Sequence, residues 1–390
     1  MNRRSWIVAS AVLLILPLAG DGRAQIPPAC MWSIGIMGAL SGDYASIGEP
    51  MANGIELAVD QANEEGELAC TLQIRAEDTQ GDPSKAPRKA QKLTEDASVV
   101  ACICGFFSGE TLASGSIFSR AGLAMVSTGT NRVIQRQGFK TWFRAIASDP
   151  KQGSVTATYI KKGLDPRKVS VVHDNQDYSK GLAKNVFDKL GKRLAGRHMY
   201  VINPEETDYS AVVAQIKRRN PDVVYYGGYL PQAGELLRQL HDEGVRATFV
   251  TDDGALDDDL QRIIKGRTVN ALAACPCADP AEIEQAQSFV QEYEARYGEP
   301  PGIFSAETFD VTNIAIEALR NLSGIETSEQ VRAQVVDHFD AAEEVPGTVK
   351  TYSWSRRGEL KAGSKHLFMW RWNNGDETFE MLGRVSDLVS

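Results

Sequence analysis

The sequence predicts an α/β protein built as two doubly wound, parallel-sheet lobes. Three observations carry this. Apolar strand-like runs alternate with helical runs along most of the chain, the pattern of parallel sheets covered by helices on both faces. Nine such strands fall before residue 275, more than one five- or six-stranded lobe needs. Behind an N-terminal export segment, roughly 365 residues remain, room for two domains of roughly 100–200 residues each.

The export segment is legible in its own terms. Arg3 and Arg4 give a positive start, Ile7 to Leu18 is the apolar run, and Gly22-Arg23-Ala24 supplies small residues for cleavage after Ala24. The apolar run is shorter than the roughly 20 residues that span a bilayer. Residues 1–24 are therefore read as a signal peptide and the mature protein as periplasmic. A lipid anchor on Cys30 does not fit: Pro27-Pro28-Ala29 lacks an aliphatic residue three before the Cys.

Strands are predicted at 32–39, 71–77, 98–104, 123–126, 168–173, 197–202, 222–226, 247–250 and 269–274. Helices are predicted at 50–65, 83–97, 109–121, 150–163, 179–191, 209–219, 231–243, 281–297, 305–321 and 328–338. Pro50 is taken to open the first helix. Asp82-Pro83 reads as an N-cap followed by Pro at the first helical position, and Asp208 as a cap for 209–219. The last strands, 348–353 and 366–372, break the alternation and carry Trp354, Trp370 and Trp372.

Charge and cysteine usage narrow the function. The formal net charge is −9, and Arg3, Arg4, Arg23 and Asp21 make residues 1–24 positive, so the mature chain is near −11. Nucleic acid and anionic membrane surfaces are disfavoured as partners. Six Cys in an exported chain favour disulfides over metal or redox sites, and none has C-x-x-C spacing. Cys30 and Cys70 each precede a strand expected to neighbour the other, so a Cys30–Cys70 bridge is expected. By the chain-entropy model it would add about 3–4 kcal/mol. The pairing of Cys102, Cys104, Cys275 and Cys277 stays open.

Function concentrates in loops between strands and helices, where open α/β sheets place ligands. The first is Gly38-Ala39-Leu40-Ser41-Gly42-Asp43-Tyr44-Ala45. Next come Gly105-Phe106-Phe107-Ser108-Gly109-Glu110-Thr111 and Ser127-Thr128-Gly129-Thr130-Asn131. Their hydroxyls and backbone N–H groups lie where a helix amino end favours an anion. Farther on stand His173-Asp174-Asn175-Gln176-Asp177-Tyr178-Ser179, Tyr225-Tyr226-Gly227-Gly228-Tyr229 and Thr251-Asp252-Asp253-Gly254. An Asp-Tyr-[Ala/Ser] tripeptide recurs at Asp43, Asp177 and Asp208. Each is readable as plain helix-start chemistry. Enzyme motifs are missing: Gly105-x-x-Ser108-Gly109 misses the G-x-S-x-G elbow by one residue. There is no H-E-x-x-H, G-x-G-x-x-G or P-loop. His173 ends a strand near the expected cleft and reads as a rim or structural residue, since a base needs a positioned partner that sequence does not show.

The opening phrase Ile34–Glu49 and the segments Val171–Gly181, Val223–Tyr229 and Thr251–Gly254, the Tyr-Tyr-Gly-Gly-Tyr run most closely, resemble the leucine/isoleucine/valine-type periplasmic binding proteins of ABC transporters, over roughly 32–375. The resemblance implies a type I periplasmic binding protein with three crossovers. It places one lobe at 30–147 plus 277–367 and the other at 148–276 plus 368–390. It further implies that Ser108, Gly129 and Thr130 hold a ligand α-carboxylate and that Asp253 pairs with the α-ammonium. Tyr178 and Tyr229 would close over the ligand. Two departures are visible. Ser127-Thr128-Gly129-Thr130 is one residue shorter than the family's usual Ser-Pro-Ala-Ala-Thr, leaving the match at Gly129 and Thr130 open by one position. Glu110 is unexpected beside a carboxylate site. It points outward, or it signals a ligand with an extra positive or donor group. The resemblance implies a monomer that captures a small amino acid and delivers it to a membrane permease, with no cofactor and no catalysis. The alternatives are a binder of amides, urea-like solutes or aromatic carboxylates, or a sensory subunit on the same fold.

Overall fold

The computed structural model describes residues 31–320, 322, 326–361 and 366–389. The expected signal peptide, residues 1–24, lies outside them.

The first unit runs β1 (Met31–Gly38), α1 (Ala45–Glu65), β2 (Thr71–Asp78), α2 (Ala86–Glu95), β3 (Val99–Cys104), α3 (Ser108–Arg120), β4 (Ala124–Ser127), α4 (Arg132–Arg136) and β5 (Trp142–Arg144). Its sheet has the order β2-β1-β3-β4-β5, with every pairing parallel. β3 is buried at all six residues, as a strand covered on both faces must be. Its side chains alternate between two cores: Ala101 and Ile103 face one, Cys102 and Cys104 the other.

The chain then crosses to a second sheet. Here it runs α5 (Asp149–Tyr159), β6 (Val169–His173), α6 (Asp177–Leu190), β7 (Tyr200–Val201), α7 (Ser210–Arg219), β8 (Val223–Gly227), α8 (Leu230–Asp242), β9 (Thr248–Asp252), α9 (Leu260–Ile264) and β10 (Ala271–Cys275). From β10 it returns to the first unit as α10 (Gln287–Tyr297), α11 (Ser305–Glu317), α12 (Ser328–Ala341) and a small hairpin, β11 (Val345–Pro346) with β12 (Thr351–Tyr352). α11 lies along α1, where Thr308 Oγ1 donates to the Met51 carbonyl at 2.8 Å. A third crossing delivers β13 (Phe368–Asn373), β14 (Thr378–Arg384) and α13 (Val385–Leu388) to the second sheet. Its order is β14-β13-β10-β9-β8-β6-β7. β13 and β14 join antiparallel, so this sheet is mixed rather than wholly parallel. In β8, Val224 and Tyr226 face one core while Val223 and Tyr225 face the other.

Several local expectations shift. α1 begins at Ala45, and Pro50 sits inside it. The loop before α1 is drawn tight by Asp78, whose carboxylate accepts from Leu40 N at 3.0 Å and Ser41 Oγ at 2.5 Å. The helix therefore starts a turn early and gives up only the hydrogen bond that Pro50 cannot make. α2 begins at Ala86 rather than Pro83. Asp82 caps a turn instead, accepting from Ser84 N at 2.8 Å. Asp208 likewise accepts from Ser210 N at 2.9 Å but sits one position ahead of the α7 N-cap, which is Tyr209. The short β5 and the terminal β14 carried no alternating apolar pattern long enough to be anticipated.

Cys102 is bonded to Cys104 and Cys275 to Cys277, with Cα separations of 5.3 and 5.1 Å. Cys70 is a buried half-cystine. Its expected partner, Cys30, lies outside the described residues. Among the described residues no helix is long and apolar enough to cross a membrane.

Candidate functional site

The carboxyl ends of both sheets face one small cavity, lined by residues of both units. The first unit contributes Ile47 and Met51 from α1, Phe106 to Ser108 after β3, Thr128 and Thr130 after β4, and Ile303 and Phe304 ahead of α11. The second contributes Tyr178, Tyr229, Asp253 and Gly254. Five of the six residues singled out for a ligand thus meet here: Ser108, Thr130, Tyr178, Tyr229 and Asp253.

The sixth, Gly129, does not line the cavity. Its carbonyl turns away and accepts from Arg144 Nη1. A Cβ at this position would sit 2.5 Å from Thr111 Oγ1, so a glycine lets the loop pack flat against α3. The cavity takes Thr128 and Thr130 instead. Thr128 is fixed, donating to the Phe106 carbonyl at 2.8 Å.

One end of the cavity suits an anion. Ser108 is the first residue of α3, a 13-residue helix whose amino end favours negative charge. Ser108 Oγ accepts from Thr130 N and from Asn131 N, each at 3.1 Å. Those bonds use its lone pairs and leave its proton to donate. Thr130 Oγ1 is buried with no well-formed hydrogen bond. Behind the loop, the fully buried Arg144 guanidinium holds the Gly129 and Asn131 carbonyls. It pairs with Glu359 at 3.1 Å and stacks 4.7 Å from the Trp142 ring centroid. With those carbonyls held from behind, the Thr130 and Asn131 N–H groups face Ser108.

The opposite end suits a cation. Asp253 Oδ1 accepts from Tyr178 OH at 2.9 Å and from Gln152 Nε2. Gln152 is itself fixed by a 2.9 Å bond to the Ala274 carbonyl. Burial raises the Asp253 carboxyl to about 6. The adjacent Asp252 is pushed well above the usual carboxylate range, by burial first and by Asp253 second. Asp252 anchors the corner rather than the cavity, accepting from Tyr178 OH at 2.7 Å, Gly228 N at 3.1 Å and Gly254 N at 3.2 Å. An ammonium beside Asp253 would offset the cost of keeping that carboxylate charged.

Aromatic rings close the mouth. Tyr229 lies 4.6 Å from Phe107, 5.1 Å from Tyr178 and 5.3 Å from Tyr44, centroid to centroid. Gly254 permits this: a Cβ there would come within 3.0 Å of both Tyr178 and Tyr229. Of the three Asp-Tyr tripeptides, the first two deliver their rings here, while Tyr209 packs into the second unit's core. The remaining wall is apolar. Phe304 belongs to it and holds a left-handed backbone (φ 59°) unusual for a non-glycine residue. Met51, Ile303, Phe304 and Gln152 were not singled out from sequence. They sit on helices or ahead of one, away from the strand-ending motifs that carried the reading.

Glu110 neither points outward nor enters the cavity. It is fully buried, accepting from Phe107 N at 2.9 Å and from Thr79 Oγ1. It therefore reaches back to cap α3, and burial raises it to about 7. A Glu110→Gln variant loses one of its two acceptor oxygens. It is expected to lose about 1–3 kcal/mol of stability while ligand affinity stays within about threefold, measurable by urea unfolding beside calorimetry. His173 is buried and accepts from Asn175 N at 3.0 Å, a structural role at the strand end.

Residues 32–376 match the family model described as periplasmic binding protein. An amino acid binding protein of Pseudomonas aeruginosa is 27% identical over 371 residues, covering 94% of this chain and 96% of that protein. The Leu/Ile/Val-binding protein of Escherichia coli is 29% identical, covering 87% and 91%. The fold matches the crystal structure of the branched-chain amino acid transporter substrate-binding protein LivJ from Streptococcus pneumoniae, in complex with isoleucine. That match has a TM-score of 0.80 at 23% identity over 90% of this chain and 99% of the other. The chain belongs to the periplasmic binding protein family, with the type I fold, and is a solute binder rather than an enzyme.

Proposed function

We propose that this protein captures a small zwitterionic amino acid with an apolar side chain, of the branched-chain class, and delivers it to an ABC permease. It would act as a periplasmic monomer after removal of residues 1–24. The two lobes are taken as 30–147 plus 277–367 and 148–276 plus 368–390, closing about the crossovers as hinge-bending binders do.

One observation carries this reading. One small cavity sets hydroxyls and a helix amino end, Ser108 and Thr130 on α3 and its neighbouring loop, against a buried carboxylate, Asp253, with apolar side chains filling the rest. A carboxylate belongs at the first, an ammonium at the second, and an aliphatic group between Ile47, Met51, Phe106, Ile303 and Phe304. Tyr178 and Tyr229 add aromatic faces near the ammonium, where a cation–π contribution runs to roughly 0.5–2 kcal/mol.

A thermal-shift screen of the mature protein against amino acids, amides and aromatic acids tests the class. A ligand present at a hundred times its dissociation constant adds about 2.7 kcal/mol to the native state, enough to raise the midpoint visibly. Leucine, isoleucine or valine is expected to head the ranking. A ranking headed by an amide or an aromatic acid would replace this reading.

Affinity should also depend on pH in a defined direction. Asp253 must be ionised to receive an ammonium, and its carboxyl is raised to about 6. Affinity for an amino acid is therefore expected to fall as pH drops from about 7 to about 5. An Asp253→Asn variant, already weak, should show no such step. Calorimetry across that range measures both.

A further inference from the structure

We infer that Asn131 is a positioning residue that couples the ligand's carboxylate end to closure of the opposite lobe; this rests on the amino-acid reading above. Asn131 is 6% exposed and uses every polar group it has. Its backbone N–H donates to Ser108 Oγ at 3.1 Å, and its carbonyl accepts from Arg144 Nη2 at 3.2 Å. Its side-chain oxygen caps α4 by accepting from Val133 N at 2.8 Å. Its side-chain nitrogen crosses the cleft and donates to the Asp177 carbonyl at 2.6 Å.

The far partner gives that last bond its meaning. Asp177 begins α6 and precedes Tyr178, the ring whose hydroxyl reaches Asp252 and Asp253. Ser108, Asn131, Asp177 and Tyr178 thus form a continuous path from the anion end of the cavity to the cation end, and Asn131 is the step that passes between the lobes. The contact is close because residue 181 is Gly. A Cβ there would lie 2.8 Å from Asn131 Nδ2 and 2.7 Å from Asp149 Oδ2. When a carboxylate draws Ser108 and the 130–131 N–H groups into place, the Asn131 side chain is aimed at α6. An ill-placed loop leaves the Asp177 carbonyl unmet.

Two variants separate this role from a structural one. Asn131→Asp keeps an oxygen that caps α4 but replaces the donor to Asp177 with an acceptor, so two oxygens face each other. Gly181→Ala leaves Asn131 intact and blocks the approach of α6. Stopped-flow fluorescence with L-leucine should show the dissociation rate rising about tenfold in each, the scale of one net hydrogen bond, with association within twofold of wild type. A dissociation rate within twofold of wild type, or a loss lying wholly in association, would overturn the inference. A wild-type protein that ignores leucine overturns the amino-acid reading instead. The coupling is then judged by small-angle X-ray scattering of ligand-free protein, where both variants should be more expanded than wild type. Equal radii of gyration would contradict it.

Discussion

Replacing Asp253 by alanine is expected to weaken amino-acid binding by about two to three and a half orders of magnitude. The ammonium of a bound amino acid would be enclosed with Asp253 as its charged partner, since Asp252 is already committed to Tyr178, Gly228 and Gly254. Removing one member of a buried charge pair costs about 3–5 kcal/mol, which converts to that range of affinity. Fold stability should move the other way or not at all. The ligand-free protein keeps a carboxyl that burial has raised to about 6, so its removal relieves a desolvation cost. Calorimetry and urea unfolding on the same variant check the two directions. Equal leucine affinity in wild type and variant would remove Asp253 from the binding site.

Replacing Arg144 by methionine is expected to damage both folding and binding. Its guanidinium is fully buried, pairs with Glu359 and holds the carbonyls of Gly129 and Asn131. Methionine fills similar space but leaves Glu359, itself mostly buried, without a partner. The expected loss is about 3–5 kcal/mol of stability. The double variant Arg144→Met, Glu359→Met removes both charges and should recover much of that loss. It should not recover affinity, because the 129–131 loop still lacks the donors that orient its N–H groups. A double-mutant cycle read by urea unfolding and calorimetry separates the two effects. Affinity restored together with stability would mean that Arg144 supports the fold and not the loop.

The parts of this molecule legible in sequence are those set by local pattern. β1, β3 and β8 are short runs of apolar residues that only a doubly covered strand can bury. The loops after them carry the hydroxyls, tyrosines and aspartates that meet in the cavity. The helix starts were less legible. Pro50 and Asp82-Pro83 offer good local start signals, yet Asp78 draws α1 to an earlier start and Asp82 is spent on a turn. Glu110 looked out of place because its sequence neighbours are ligand-facing. Its cap bond to Phe107 N is local, but its burial rests on Thr79, 31 residues away, which donates to its other oxygen. Gly129 and Thr130 were open by one position in sequence. In the structure Gly129 lies flat against α3, leaving Thr128 and Thr130 to the cavity. Gln152 and Arg144 act through partners as distant as Asp253 and Glu359, and no spacing rule links such residues. The Cys102–Cys104 and Cys275–Cys277 bonds join residues two apart, a pairing that the sequence left open.

The central claim is that the cavity recognises both charged ends of an amino acid. Calorimetric titration of the mature protein with leucine, 4-methylpentanoate and leucinol tests it most directly. The first analogue lacks the ammonium and the second lacks the carboxylate, while both keep the apolar side chain. Leucine should bind, and each analogue should bind at least about a hundredfold more weakly, because each leaves buried polar groups unmet at one end of the cavity. 4-Methylpentanoate binding as tightly as leucine would contradict the account, since Asp253 would then have no ammonium to receive.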